Sequence, residues 1–195
     1  MTLTLQKRPR RSAVPWCIAA GVLLCLGIGL YCERNRVRDW VVDDTKFSEE
    51  IRFFAGRHGI DPLLVRAVVF QESRFDEECR GSKGEIGLMQ ILPRGAAADY
   101  VLHHKISPYS LRALKKPKLN LEIGCWYLSK ALARWEGHPD QLPLALSQYN
   151  AGESRAAKWA ADKRSPGQYP IRSTRIYVKR IMKRYENYVK EERKH

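Results

Sequence analysis

The stretch VVFQESRFDEE, residues 68–78, runs apolar and then fills with acids: Glu72, Asp76, Glu77 and Glu78 fall within seven residues. Upstream of it, Asp61-Pro62 has the form of a helix start, with Asp as N-cap and Pro at the first helical position. On a helix beginning there, Leu64, Val68 and Glu72 are spaced by four and share one face, flanked by Val65 and Val69. Glu72 therefore continues an apolar stripe at the C-terminal end of its helix. Desolvation and the negative end of the helix dipole both disfavour its ionised form, so its pKa is expected to rise. A carboxylic acid held protonated near neutral pH suits protonation of a leaving oxygen. Asp76, Glu77 and Glu78 lie past the apolar run and have the pattern of a solvated exit. The plain alternative for Glu72 is a helix-end acid in water, or one paired with Arg66 or Arg74.

Outward from this helix, the pattern stays helical. Ser48 is a candidate N-cap for a helix with Ile51, Phe54, Ala55 and His58 on one face, stopped by Gly59 with Ile60 beyond it. Glycines 81, 84 and 87 predict a loop over 79–87, and GLMQILP (87–93) predicts one or two helical turns ended by Pro93. RGAAAD (94–99) extends a helix beyond that proline. Residues 100–119 are less regular, broken by Pro108 and Pro117. NLEIGCWYLSKALARWEG predicts a long helix from an Asn120 N-cap to Gly137, with Ile123, Trp126, Tyr127, Ala131 and Trp135 available for packing. LPLALSQYNAG predicts another, ended by Gly152. After Ser165-Pro166-Gly167, a basic helix carries Tyr177, Val178, Ile181, Tyr185, Tyr188 and Val189 on its apolar side. With no convincing strand or repeat, the body is expected to be all-α and large enough for one core.

Hydrophobic content of 44% and charged content of 29% exclude general disorder. The formal charge is +14; seven Lys/Arg against Glu33 in residues 1–38 give +6, which leaves 14 − 6 = +8 for 39–195. The body is basic in its own right, which favours an anionic partner. Residues 13–31, AVPWCIAAGVLLCLGIGLY, carry no charge; nineteen residues make about 28 Å of helix, close to the hydrocarbon thickness of a bilayer. KRPRR precedes them, and the positive-inside rule then sends the remainder outward. A cleavable signal is the rival, but no A-x-A-type site follows the run, and Tyr31 is too bulky to precede a lipidated Cys32. The expected layout is a basic segment over 1–12, a single transmembrane helix over 13–32, a connector over 33–46 and a domain over 47–195. Of five cysteines only Cys79 and Cys125 fall in the body, as a pair or as two buried thiols. No His/Cys cluster has metal-site spacing.

AVVFQESRFDEECRGSKGEIGLMQILP, then PKLNLEIGCWYLSKAL, then LPLALSQYNAG, then TRIYVKRI, in that order, resemble the catalytic domain of lytic transglycosylases of the soluble (Slt) type, a lysozyme-like family that cuts peptidoglycan. The resemblance covers about residues 47–185, and QES, GLMQ and YNAG are specific together. It implies a lysozyme-like helical domain, no cofactor and no metal. Glu72 would be the catalytic acid/base and Ser73 its support; Met89 and Gln90 would line the glycan cleft, and Tyr149 and Asn150 would belong to the motif whose Tyr lies against the Glu. Each also has a structural reading: Met89 as core, Gln90 as a turn cap, Tyr149 as a packed aromatic, Asn150-Ala151-Gly152 as a helix stop. The chain departs from the family at Ser173-Thr174, where many members have Glu-Thr, and at Gly95, where the family's Met-Pro-Ala-Thr places its Thr.

The resemblance implies non-hydrolytic cleavage between N-acetylmuramic acid and N-acetylglucosamine, giving 1,6-anhydro ends. The partners would be glycan strands and, through the anchor, the bacterial inner membrane, with the domain on the periplasmic side, at a growth or secretion site. No nucleic-acid motif is visible. Two rivals remain open: a goose-type lysozyme-like hydrolase, which would draw a second carboxylate from residues 76–78 or 85, and a non-enzymatic basic wall-binding module.

Overall fold

The computed structural model describes residues 42–194. The basic segment, the transmembrane helix and most of the connector expected from the sequence lie outside them. Among the described residues seven α-helices follow one another: α1 (Ser48–Arg57), α2 (Pro62–Ser73), α3 (Ala96–His104), α4 (Pro117–Arg134), α5 (Gln141–Ala151), α6 (Glu153–Ala161) and α7 (Arg172–Glu192). Among the described residues there is no strand, only isolated bridges pairing Ile86 with Arg80 and with Ile91. No described helix is long and apolar enough to cross a membrane.

Local signals account for the first helices. α1 begins at Ser48, not after it, with Phe47 as the N-cap. It ends in a complete Schellman motif: Gly59 at φ +66° donates to the Gly56 carbonyl at 3.2 Å, and Ile60 donates to Ala55 at 2.9 Å. Asp61 caps α2, its carboxylate accepting from the Leu63 N–H at 2.8 Å, with Pro62 at the first helical position. Contrary to a one-sided stripe, α2 is buried on nearly every side: Leu64, Val65, Ala67, Val68, Val69 and Phe70 are all core. α1 and α7 both pack on it.

α4 is the second central helix, and α1, α3 and α5 surround it. It starts at Pro117 rather than at Asn120, because Pro117 supplies the first-turn residue and Asn120 turns its side chain elsewhere. Glu122 on α4 ties three helices together: it accepts from the Tyr100 hydroxyl at 2.9 Å and lies 3.3 Å from His58 Nε2. α6 is a helix that the sequence reading left out. Its Trp159 stacks on Tyr169 with ring centroids 4.8 Å apart, closing a small core with Leu144. Cys79 and Cys125 are free thiols, Cys125 fully buried. The end of the connector is part of the domain: Asp44 holds the Arg66 guanidinium at 2.7 Å and the Tyr188 hydroxyl at 2.6 Å.

Candidate active site

α2 stops at Ser73 because Arg74 and Phe75 both take left-handed backbone conformations, φ 54° and 64°. Glu72 is thus delivered on the last turn of a helix whose body is buried, with its own side chain only partly exposed. The Tyr177 hydroxyl, from the middle of α7, donates to Glu72 Oε1 at 2.6 Å. Burial pushes the carboxyl from 4.5 up to about 7; the Tyr177 hydrogen bond opposes that rise and the charge of Glu85 adds to it. Arg66, a candidate partner for Glu72, pairs with Asp44 instead. Tyr177 is raised well above 10, first by burial and then by the charge of Glu72, so it stays a proton donor at neutral pH.

The other acids of the opening stretch are surface groups. Glu77 lies 3.4 Å from Lys46, Glu78 pairs with Lys115, and Asp76 accepts from the Glu78 N–H at 2.9 Å. Glu85, by contrast, sits on the loop facing Glu72, its carboxylate held by the Lys83 N–H at 2.8 Å.

GLMQ is not helical. It is a tight turn closed by reciprocal backbone bonds between Ile86 and Ile91 at 3.0 and 2.9 Å. Gly87 has φ +77°, and a Cβ there would come within 2.4 Å of the Asn120 amide nitrogen. Leu88 is fully buried. Met89, expected at the cleft wall, is also fully buried, packed so closely on α4 that a Cβ at Gly124 would lie 2.3 Å from its sulfur. Its side chain therefore offers no surface to a ligand. Gln90 has φ 47° and donates from Nε2 to the carbonyls of Gly87 at 2.9 Å and Cys79 at 3.2 Å. It acts as a turn cap and still borders the cavity described below.

The side chain that fixes this turn is Asn120. Fully buried, it accepts from the Met89 N–H at 2.8 Å and donates to the carbonyls of Ile86 at 2.8 Å and Leu114 at 2.7 Å. Tyr149, at the end of α5, adds a third tie to the turn, its hydroxyl donating to the Met89 carbonyl at 2.9 Å. Burial and the nearby Glu72 charge hold Tyr149 well above its usual pKa. Its ring meets Tyr127 edge-on at 5.6 Å. Asn150 accepts from the Thr174 hydroxyl at 2.8 Å, which joins α5 to α7 at the position where the family's acidic neighbour is missing. Ser73 is buried and turns its hydroxyl toward the Val69 carbonyl at 3.3 Å; it braces the end of α2 rather than bonding to Glu72. A cavity of about 240 Å³ opens between the turn and the end of α5, bordered by Gln90, Tyr127, Tyr149, Asn150 and Gly95. Gly95 is the N-cap of α3 and supplies no side-chain bond, the consequence of a glycine where a hydroxyl residue would cap.

The arrangement thus brings Tyr149 and Gln90 to the border of one small cavity, with Glu72 near enough for its charge to raise Tyr149. It gives Met89, Ser73 and Asn150 supporting contacts. It adds Asn120 and Tyr177, which sequence reasoning took for a helix cap and an apolar-face residue. Among the described residues no three His, Cys, Asp or Glu side chains converge as metal ligands.

A family model described as the transglycosylase SLT domain matches residues 49–171, more than half of the chain, and the chain belongs to that family. The membrane-bound lytic murein transglycosylase E of Buchnera aphidicola is 31% identical over 97 residues, covering 49% of this chain and 41% of that protein. The membrane-bound lytic murein transglycosylase C of Haemophilus ducreyi is 26% identical over 167 residues, 74% of this chain and 46% of that one. Among solved structures, an inactive mutant of the lytic transglycosylase Slt from Pseudomonas aeruginosa superposes with a TM-score of 0.68 at 26% identity, over 75% of this chain and 24% of that one. The helical domain accordingly has the lysozyme-like architecture of these enzymes. The chain spans less than half the length of either curated relative.

Proposed function

We propose that the domain is a peptidoglycan lytic transglycosylase with Glu72 as its one acid and base. The observation that carries this reading is a single partly buried carboxyl, raised to about 7 and held by the Tyr177 hydroxyl, whose charge reaches Tyr149 on the border of the cavity. At neutral pH about half of such a group holds its proton, as a general acid must. Glu72 donates that proton to the glycosidic oxygen as the bond to C1 of N-acetylmuramic acid breaks. The muramoyl N-acetyl oxygen takes up the developing charge at C1. The C6 hydroxyl then attacks C1 and returns its proton to the Glu72 carboxylate, closing the 1,6-anhydro ring with no water consumed. Tyr177 orients the carboxyl for both transfers. The names of the matched relatives support murein as substrate, and the uncharged run at 13–31 supports a single-pass inner-membrane anchor with the domain on the periplasmic side.

One observation favours a second reading. Glu85 is the member of the 76–78 and 85 acids whose charge reaches Glu72, so a hydrolase using Glu85 to activate water is the specific competitor. Digestion of purified peptidoglycan, followed by mass spectrometry of the fragments, separates the two. Anhydro ends that disappear in Glu72→Gln support the transglycosylase; reducing ends that disappear in Glu85→Gln support the hydrolase. No fragments from the wild type, with the protein's biological activity intact in Glu72→Gln, would leave only a wall-binding module.

A further inference from the structure

α7 has two faces with different tasks. Thr174, Tyr177, Ile181 and Tyr188 point inward, and through Tyr177 this side holds Glu72. At about 100° per residue, Arg172, Ile176, Lys179, Arg180, Lys183, Asn187 and Lys190 fall together on the opposite side. Each of the five cations in that set is exposed, and among the described residues none of them has an acidic partner. The remaining cations in the body of the helix are engaged internally: Arg175 bonds to the Tyr169 carbonyl, and the Arg184 guanidinium lies over the Phe70 ring. The stripe from Arg172 to Lys190 is about 27 Å long. It holds no acid, although Glu186 borders it. Ile176, 38% exposed, and partly exposed Met182 share a shallow groove with Lys179 and Lys183 that Pro166 and Gly167 complete and Glu186 also lines.

We infer that this outer face of α7 docks on anionic phospholipid head groups. Three features choose a lipid surface over a hydrated polymer. The face carries five cations without an acidic partner against the single bordering Glu186, so it matches a plane of negative charge. It is amphiphilic, with Ile176 and Met182 able to reach below the head groups while the lysines stay at their level. It is also turned away from Glu72, so docking leaves the cleft free to face the wall. The membrane becomes local through the anchor reading of residues 13–31, on which this inference rests for its geometry.

The test uses the full chain reconstituted in phosphatidylcholine vesicles and in vesicles of phosphatidylcholine with phosphatidylglycerol. Lysine acylation by a soluble reagent is read by mass spectrometry as a ratio to exposed Lys83, which lies on the Glu85 loop. Lys179, Lys183 and Lys190 should acylate about fivefold more slowly in the anionic vesicles, and the protection should vanish at high salt. Lys179→Glu with Lys183→Glu should abolish protection of Lys190 and leave cleavage of soluble glycan fragments unchanged. Equal acylation in both vesicle types overturns the docking face, whereas flotation with both types upholds the anchor independently. Flotation only with anionic vesicles, lost in the double variant, overturns the anchor and upholds the face. Protection by soluble polyphosphate as strong as by anionic vesicles overturns the lipid assignment.

Discussion

Helix α2 and the turn from Ile86 to Ile91 bring the two halves of the site together, and they are specified in opposite ways. α2 is encoded where it stands: Asp61 caps it, Pro62 starts it, its apolar residues fill it, and two left-handed residues end it just past Ser73. The turn owes its shape to residues far away in sequence. Asn120 reaches it from 31 residues on and Tyr149 from 60, and Gly124 provides the space that Met89 fills. A locally written element tolerates distant change; one held from a distance fails when its holder is removed.

The sharpest contrast comes from changing one residue in each. Glu72→Gln should reduce cleavage about 10²–10⁴-fold, the range for a lost general acid, with the fold intact. Its thermal stability should also lose a pH dependence. Folded Glu72 keeps its proton up to about 7, while in the unfolded chain it titrates near 4.5. Its stabilising contribution is therefore complete below 4.5 and declines as pH rises through 7. Melting temperatures measured across that window should slope downward in the wild type and flatten in Glu72→Gln. Asn120→Ala, which touches no substrate, should cost about 2–3 kcal/mol by urea unfolding, because it strands the buried Met89 N–H and Leu114 carbonyl and takes one of two donors from the Ile86 carbonyl. It should disable cleavage as well. If Asn120→Ala unfolds like the wild type, the turn is not held from α4.

Smaller effects refine the contrast. Tyr177→Phe removes the hydrogen bond that lowers the Glu72 pKa, so the alkaline limb of the rate profile should move up in pH. The rate should fall about tenfold, the worth of one hydrogen bond to a charged group. A limb that stays put would mean Tyr177 merely packs. Asp61→Ala should cost about 1 kcal/mol of stability, the usual worth of an N-cap, and leave the rate nearly unchanged.

The same contrast governs what could be read from the sequence. Gly59, Asp61-Pro62 and Gly152 announce their helix boundaries because caps act within a few residues, and Glu72 is visible because its spacing matches its helix. GLMQ reads as a helical turn because its residues suit a helix; nothing within six positions reveals that Ile86 and Ile91 pair. Asn120 looks like an N-cap, a role asparagines favour at helix starts, and only the fold discloses its three partners. Tyr177 sits on the apolar side of α7 as expected, but the polar tip of a buried tyrosine finds its partner through tertiary contact. Met89 illustrates the reverse error: a residue within a site motif that serves wholly as core.

Glu72 and the tyrosine that orients it are 105 residues apart, one early in the domain and the other on its last helix. During synthesis the acid emerges long before its partner does. A growing or interrupted chain that ends short of Tyr177 carries the reactive carboxyl without the group that aims it and without α7 to cover it. The candidate site is thus completed only when nearly the whole domain has been produced.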